Sequence, residues 1–341
     1  MKKTILLYAV ILILSAGCAR SEQPKVQTSD LPGTESVTKA STETVSSAGP
    51  ETELTIEPSA VSGTESQAPS EEQTEKTTII PTGDLAPYFQ GFNGCAVFYV
   101  PSQSRYLLYN PDLCNTASSP CSTFKIVSSL IGLETGIIDQ ENSVYPWSGT
   151  AYWNKNWNRD IGFEDAFKVS CIWYFREAID RAGKDTVQDF LNELEYGNCN
   201  ISDWEGYQNT NNNIDALRGF WVESSLKISP LEQTKVMRAI FESDVYDPAN
   251  ITLLKQVMLT ENENHDVKIY GKTGMGVADG LCVDAWFVGM AETNGTAIYF
   301  AIRLDDPQNE ETSSTKAKEI AVDISDHFIT NMINKNDLIQ P

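Results

Sequence analysis

Residues 119–136 read Ser-Pro-Cys-Ser-Thr-Phe-Lys-Ile-Val-Ser-Ser-Leu-Ile-Gly-Leu-Glu-Thr-Gly. From Ser122 onward the apolar positions Phe124, Ile126, Val127, Leu130, Ile131 and Leu133 fall on every side of a helix, and Gly136 stops the pattern. A helix apolar all round is buried, so this one is expected at the centre of the core. At its start Ser122 and Lys125 stand three residues apart, on one face and within hydrogen-bonding reach of each other. Burial would disfavour a charged ammonium and push that lysine toward its neutral form, which can take the hydroxyl proton. The same four residues also suit a helix cap followed by a surface lysine, so the rest of the chain has to decide.

Upstream, Cys95 to Val100 and Arg105 to Tyr109 are β-rich runs joined by Pro101-Ser102-Gln103-Ser104, a hairpin signal that starts an antiparallel sheet. Downstream, from about Asp139 to Glu263, helical patterns at Phe163 to Val169, Trp173 to Ala182, Thr186 to Leu194 and Pro230 to Phe241 are separated by polar, glycine-bearing loops. Three β-rich runs follow, Val267 to Tyr270, Ala285 to Ala291 and Thr296 to Leu304, the last two linked by Glu292-Thr293-Asn294-Gly295. A helical stretch from Ala317 to Ile333 comes last. This order fits the α+β class: an antiparallel β-sheet flanked by helices, with an all-helical subdomain, and not a parallel βαβ fold. The sequence contains no internal repeat and no phosphate-binding glycine loop.

Further motifs stand along this frame. Lys272-Thr273-Gly274 ends the first of the three late β-rich runs, followed by Met275 and Gly276. A lysine there would face a substrate carboxylate, and Gly274 would let a ligand lie along the strand edge. The backbone N–H groups of Ser122 and Met275 could then receive a developing oxyanion. Ser170-Cys171-Ile172 lies between two helical patterns, Tyr196-Gly197-Asn198 follows the next helix, and Phe220-Trp221 comes about 25 residues later. Read singly, Trp221 is a core aromatic and Lys-Thr-Gly a strand ending in a turn.

Taken in order, Ser-x-x-Lys, Ser-x-aliphatic, Tyr-Gly-Asn, the tryptophan and Lys-Thr-Gly resemble the class D serine β-lactamases, over about Cys95 to Ile333. The stretches Ser119 to Ile126, Trp221 to Pro230 and Ala285 to Gly289 share the likeness. The resemblance implies a serine β-lactamase or penicillin-binding transpeptidase-like fold, with the site in a cleft between sheet and helical subdomain. It implies acyl transfer by Ser122, with Lys125 converted by carbon dioxide to a carbamate (N6-carboxylysine) that serves as base. Trp221 would donate to that carbamate, Ser170 would relay a proton to the leaving nitrogen, and Lys272 and Thr273 would bind the substrate carboxylate. Tyr196 and Asn198 would support the cleft.

Two positions depart from the family pattern. Ile172 stands where valine is usual, walling off the lysine. The arginine expected after the last strand is replaced by Lys316 or Lys318, which keep the charge but lose the bidentate fork. No other cofactor and no metal is expected: two histidines and no Cys-x-x-Cys pair leave little material for zinc, or for a histidine triad.

Residues 1–18 read as an export signal, with Lys2 and Lys3, an apolar run from Ile5 to Leu14, and Ser15-Ala16-Gly17 before Cys18. The run is too short to span a bilayer. Leu14 to Cys18 is similar to a lipobox, although Leu14 is one place early. Cys18 would be the lipidated residue of a protein held on the outer face of the cell membrane, with secretion the alternative. Residues 19–80, rich in Ser, Thr, Glu, Pro and Gly, read as a flexible acidic spacer, and 81–337 as the catalytic domain. The net charge of −22 disfavours nucleic acid and anionic membrane surfaces. The expected partner is a small β-lactam, bound by a monomer or homodimer. Cys114 and Cys121 could bridge a short loop, or stay as thiols. His265 reads as a surface loop residue.

Two other activities share these motifs. A β-lactam sensor would acylate without releasing product; such receptors carry several transmembrane helices and an intracellular protease, patterns this sequence does not show. Peptidoglycan transpeptidases and carboxypeptidases usually carry Ser-x-Asn where Ser170-Cys171-Ile172 stands.

Overall fold

The computed structural model of the protein describes residues 75–80, 82–139, 143–260, 267–293 and 295–329. The expected leader, Cys18, the spacer up to residue 74 and His265 lie outside the described residues. The chain divides into two units, residues 1–67 and 68–341, and everything below concerns the second.

The elements run β1 (Lys76–Ile79), α1 (Thr82–Phe89), β2 (Gly94–Val100), β3 (Arg105–Tyr109), α2 (Pro111–Cys114), α3 (Lys125–Glu134), α4 (Phe163–Lys168), α5 (Ile172–Ala182), α6 (Lys184–Glu193), α7 (Pro230–Glu242), α8 (Pro248–Met258), β4 (Leu259–Thr260), β5 (Lys268–Ala278), β6 (Leu281–Thr293), β7 (Thr296–Leu304) and α9 (Ser314–Ile324). Seven strands form one sheet in the order β1-β3-β2-β7-β6-β5-β4. All neighbours are antiparallel except β1 and β3, so the sheet is mixed rather than purely antiparallel. Lys76–Ile79, read from sequence as the end of the spacer, lie along β3 as an edge strand. Their side chains are all exposed, so no apolar alternation marks them.

The sheet separates two apolar layers. Phe98, Phe287, Phe300 and Ile302 pack under Leu85 and Phe89 of α1 and Ile320 and Ile324 of α9. On the other face Val97, Tyr99, Trp286 and Val288 meet the helical part built around α3. Every residue from Lys125 to Leu133 is buried, and α3 lies against α5 and α8. The all-round apolar pattern therefore marks a central helix, where each fully buried Leu or Ile contributes about 1.5–3 kcal/mol.

Several expected boundaries move. The helix does not begin at Ser122: Cys121–Phe124 form a 3-10 turn and α3 starts at Lys125. Lys272-Thr273-Gly274 lie inside β5, not at its end, because β5 pairs with β6 from Lys268 to Ala278 across a bulge after Gly276. The β6–β7 hairpin closes at Thr293 and Thr296 with Gly295 at φ +75°, as its sequence implies. Cys114 and Cys121 form no disulfide. The six cysteines of the described residues are free, and the Cys114 thiol donates to the Tyr109 carbonyl at 3.1 Å.

Candidate active site

Ser122 sits in the tight turn ahead of α3, following Cys121 at φ +48°, a left-handed conformation that L-residues adopt only when neighbours enforce it. The neighbours are visible. Thr123 Oγ1 donates to the Pro120 carbonyl at 2.7 Å and accepts from Gln233 Nε2 of α7 at 2.8 Å. Ser119 Oγ donates to the Trp221 carbonyl at 3.0 Å and accepts the Glu223 N–H at 2.8 Å. Ser118 bridges to Ile228, and Arg303 donates to the Thr116 carbonyl at 3.0 Å. Arg303 is itself buried against Asp284, 2.6 Å away, whose other oxygen accepts from Ser118.

Lys125 is fully buried, with Nζ 3.0 Å from Ser122 Oγ and 5.6 Å from the Phe175 ring centroid. Burial lowers its pKa to about 8, only partly opposed by the neighbouring Cys171 and Cys121. Those thiols carry no charge near neutral pH, since burial raises Cys121 to about 12 and Cys171 to about 11. A surface lysine after a helix cap is thereby excluded. Trp221 is fully buried and stacks on Phe124, with ring centroids 5.4 Å apart. Its benzo edge lies so close to Gly219 that a Cβ there would sit 2.5 Å from it, and its indole N–H is buried without an acceptor.

Gly274 explains how the two halves of the site meet. A Cβ on it would approach Thr123 Cγ2 to 2.9 Å and the Pro120 carbonyl oxygen to 3.0 Å. The missing side chain therefore admits the nucleophile's turn against β5, rather than only a ligand along the strand. Met275, 48% exposed, follows at that edge. β4 pairs with Ile269 and Tyr270 alone, so among the described residues no strand flanks β5 beyond them. Along this edge runs a cleft of about 350 Å³ whose walls include Phe167, Lys168, Leu259, Lys272, Thr273 and Lys318. Lys272 is 5% exposed; its Nζ bonds to the carbonyl and hydroxyl of Thr273 at 3.2 and 3.3 Å and lies 5.7 Å from the Phe167 centroid. Burial, and then repulsion from Lys125, hold its pKa well below the usual lysine range.

Ser170 occupies the turn between α4 and α5 at φ +56°, half-buried, beside the Phe167 and Cys171 that neighbour the two lysines. Ile172 opens α5 and is half-buried. Tyr196 is buried edge-on to Phe124, its hydroxyl toward Thr123 and Gln233. Asn198 staples two loops together. It donates to the Ser225 carbonyl at 2.9 Å and accepts the Lys227 N–H at 3.0 Å, while Gly197 at φ +53° leaves room for the Lys227 carbonyl. One sequence choice is corrected: Lys316 turns away to Glu319, 2.8 Å distant, and to the face of Phe92, so Lys318 is the α9 lysine of the cleft. Gln233, Ser119 and Lys168 had no sequence signal of their own, since their roles come from distant partners.

Residues 57–326 match the family described as Penicillin binding protein transpeptidase domain. The chain belongs to that family. Its relatives in the transpeptidase family are of two kinds. "Probable beta-lactamase YbxI" of Bacillus subtilis (strain 168) is 31% identical, over 73% of this chain and 86% of its own length. "Regulatory protein BlaR1" of Bacillus licheniformis is also 31% identical over 73% of this chain, but the match spans only 39% of that protein. Among solved structures, a class D β-lactamase from Bacillus subtilis superposes with TM-score 0.61 at 30% identity, covering 77% of this chain and all of that one. The C-terminal domain of the Bacillus licheniformis BlaR penicillin-receptor gives 0.64 at 28%, covering 74% and 96%. The likeness to class D β-lactamases drawn from the motifs thus holds for both fold and family.

Proposed function

We propose that this transpeptidase-family chain hydrolyses β-lactams through an acyl-enzyme on Ser122, with Lys125 carboxylated. The observation that carries the reading is a fully buried lysine, 3.0 Å from a serine hydroxyl, with a depressed pKa and no anion beside it among the described residues. A neutral amine is the form that adds carbon dioxide, and the orphaned Trp221 N–H supports the fit, because a carboxylated lysine would supply its missing acceptor. That group would provide the base for acylation and for the deacylating water.

The chain's own residues do the rest. The Ser122 and Met275 N–H groups receive the oxyanion, and Ser170 returns a proton to the leaving nitrogen. Lys272 and Thr273 take the substrate carboxylate, with Lys318 as the second cation. Ile172, an extra methylene beyond valine, screens Lys125 from bulk water. Export, with lipid on Cys18 or by secretion, belongs to the same proposal.

The similarity to the BlaR receptor domain favours a second reading, a β-lactam sensor that acylates and stops. Mass spectrometry over time after mixing with a penicillin separates the two. The hydrolase forms and loses an adduct on Ser122 over many turnovers, faster with added bicarbonate. One stoichiometric burst without turnover refutes the hydrolase, and full activity in Ser122→Ala refutes the nucleophile.

A further inference from the structure

Glu223 joins the two segments that carry the oxyanion donors. Its backbone N–H donates to Ser119 Oγ at 2.8 Å, and that hydroxyl donates to the Trp221 carbonyl at 3.0 Å, so residues 221–223 wrap the chain just ahead of Ser122. Its carboxylate reaches β5, where Oε1 accepts the backbone N–H of Val277, shortly after Met275. The Val277 carbonyl is held as well, by Asn211 Nδ2 at 2.7 Å. Asn211 in turn donates its N–H to Asn209 Oδ1 at 2.9 Å, and the buried Asn209 donates to the Val222 carbonyl at 3.1 Å, which closes a ring beside Glu223.

The strand needs a grip at this point. β5 leaves its regular register with β6 between Gly276 and Val277, and among the described residues no strand flanks its other side beyond Tyr270. A bulge lets a strand bend and re-aim its groups, so the direction of the segment after Gly274 is set by whatever else holds it. Glu223 itself stands at φ +52°, a conformation that costs an L-residue about 1–3 kcal/mol and persists only where the surroundings impose it. We propose that Glu223 is a positioning residue for the oxyanion pocket: by tying Ser119 to Val277 it fixes the separation between the N–H groups of Ser122 and Met275. Gly274 sets how closely the turn and β5 approach, and Glu223 keeps the far end of β5 from swinging toward solvent, where Met275 is already 48% exposed. The inference rests on the proposed acylation of Ser122 with those two N–H groups as donors.

The test separates ground-state from transition-state binding in the full chain. Rapid mixing with a chromogenic cephalosporin gives the dissociation constant of the first complex and the acylation rate constant. Inhibition by phenylboronic acid, whose tetrahedral adduct on a serine places an oxygen in the oxyanion pocket, gives a second reading. Glu223→Ala should lower the acylation constant by roughly tenfold to hundredfold, somewhat less than the loss of a whole oxyanion donor, and weaken boronate inhibition by a similar factor. The dissociation constant of the first complex should stay unchanged. Glu223→Gln, whose amide oxygen still accepts the Val277 N–H, should restore both values. Wild-type acylation and boronate inhibition in Glu223→Ala, a loss confined to the dissociation constant, or a Glu223→Gln as impaired as Glu223→Ala each overturn the positioning role alone. If Glu223→Ala does not fold by circular dichroism, Asn211→Ala decides, since it removes only the exposed bond to the Val277 carbonyl. A severalfold lower acylation constant supports the role, and wild-type kinetics overturn it. A wild-type protein that forms no adduct with either reagent overturns the reading of Ser122 and the inference with it.

Discussion

Replacing Gly274 with alanine tests how tightly the nucleophile's turn is pressed against β5. The new Cβ would lie 2.9 Å from Thr123 Cγ2, 3.0 Å from the Pro120 carbonyl oxygen and 3.2 Å from the Thr123 nitrogen, all shorter than the 3.4 Å at which ordinary contact begins. Two of the three are backbone atoms. Neither side yields easily, because Thr123 is held by Gln233 and Pro120 while β6 pairs along the whole of β5. Overpacking of this kind costs about 1–3 kcal/mol. Relief requires a separation of a few tenths of an ångström between Ser122 and Met275, where the oxyanion would sit. A 1 Å misplacement costs about a hundredfold, so roughly a tenfold loss in acylation is expected. Gly276→Ala is the control: its Cβ would meet the end of the Glu223 side chain at 3.3 Å and Asp284 and Cys121 at 3.4 Å, and should change acylation by about twofold at most. Stopped-flow acylation by a chromogenic cephalosporin, with melting curves for both variants, makes the comparison. Wild-type acylation and melting in Gly274→Ala, or equal losses in the two variants, would refute the reasoning.

Trp221→Phe keeps the stack on Phe124 and removes the orphaned N–H; deacylation should slow by roughly tenfold to hundredfold, seen as accumulating acyl-enzyme in mass spectra. Lys318→Ala should raise KM for a penicillin several-fold, about 1 kcal/mol. Lys316→Ala, which loses only the Glu319 pair, should leave steady-state kinetics unchanged. Arg303→Ala strands the buried Asp284 carboxylate and should cost about 3–5 kcal/mol in denaturant melts, against little change for the exposed pair variant Arg159→Ala. Without bicarbonate, Lys125 has a folded pKa of about 8, below the unfolded value near 10.4. The unfolded chain then binds more protons between those values, so stability should rise with pH across that window, and Lys125→Met should reduce the rise in pH-dependent melts, leaving the part that the likewise depressed Lys272 contributes.

Local patterns were legible where the residues themselves carry the signal. The apolar circumference of α3 gave its burial, and alternating β-rich runs with an Asn-Gly connection gave β6 and β7. The Ser122–Lys125 pair could be read because three-residue spacing in a helical turn leaves little choice of geometry. What escaped is tertiary in origin. β1 carries no apolar alternation, because it is an edge strand exposed on both faces. The continuation of β5 through two glycines depends on β6 alongside and on the turn it abuts. The choice between Lys316 and Lys318 depends on which way α9 faces, and two residues of helix reverse that. Asn198 could be read as a support, but not which loops it ties, since chain spacing does not say which backbone partners a side chain is spent on.

The turn around Ser122 is gripped by partners far away in the chain: Arg303 reaches Thr116 across 187 residues, and Gln233 reaches Thr123 across 110. Such long-range closures form late and slowly during folding. A chain that has built α3 but has not yet docked β7 and α7 owns the serine without the geometry that would make it react. Burst amplitude with a β-lactam therefore counts finished molecules, and its recovery during renaturation should trail the return of helical signal.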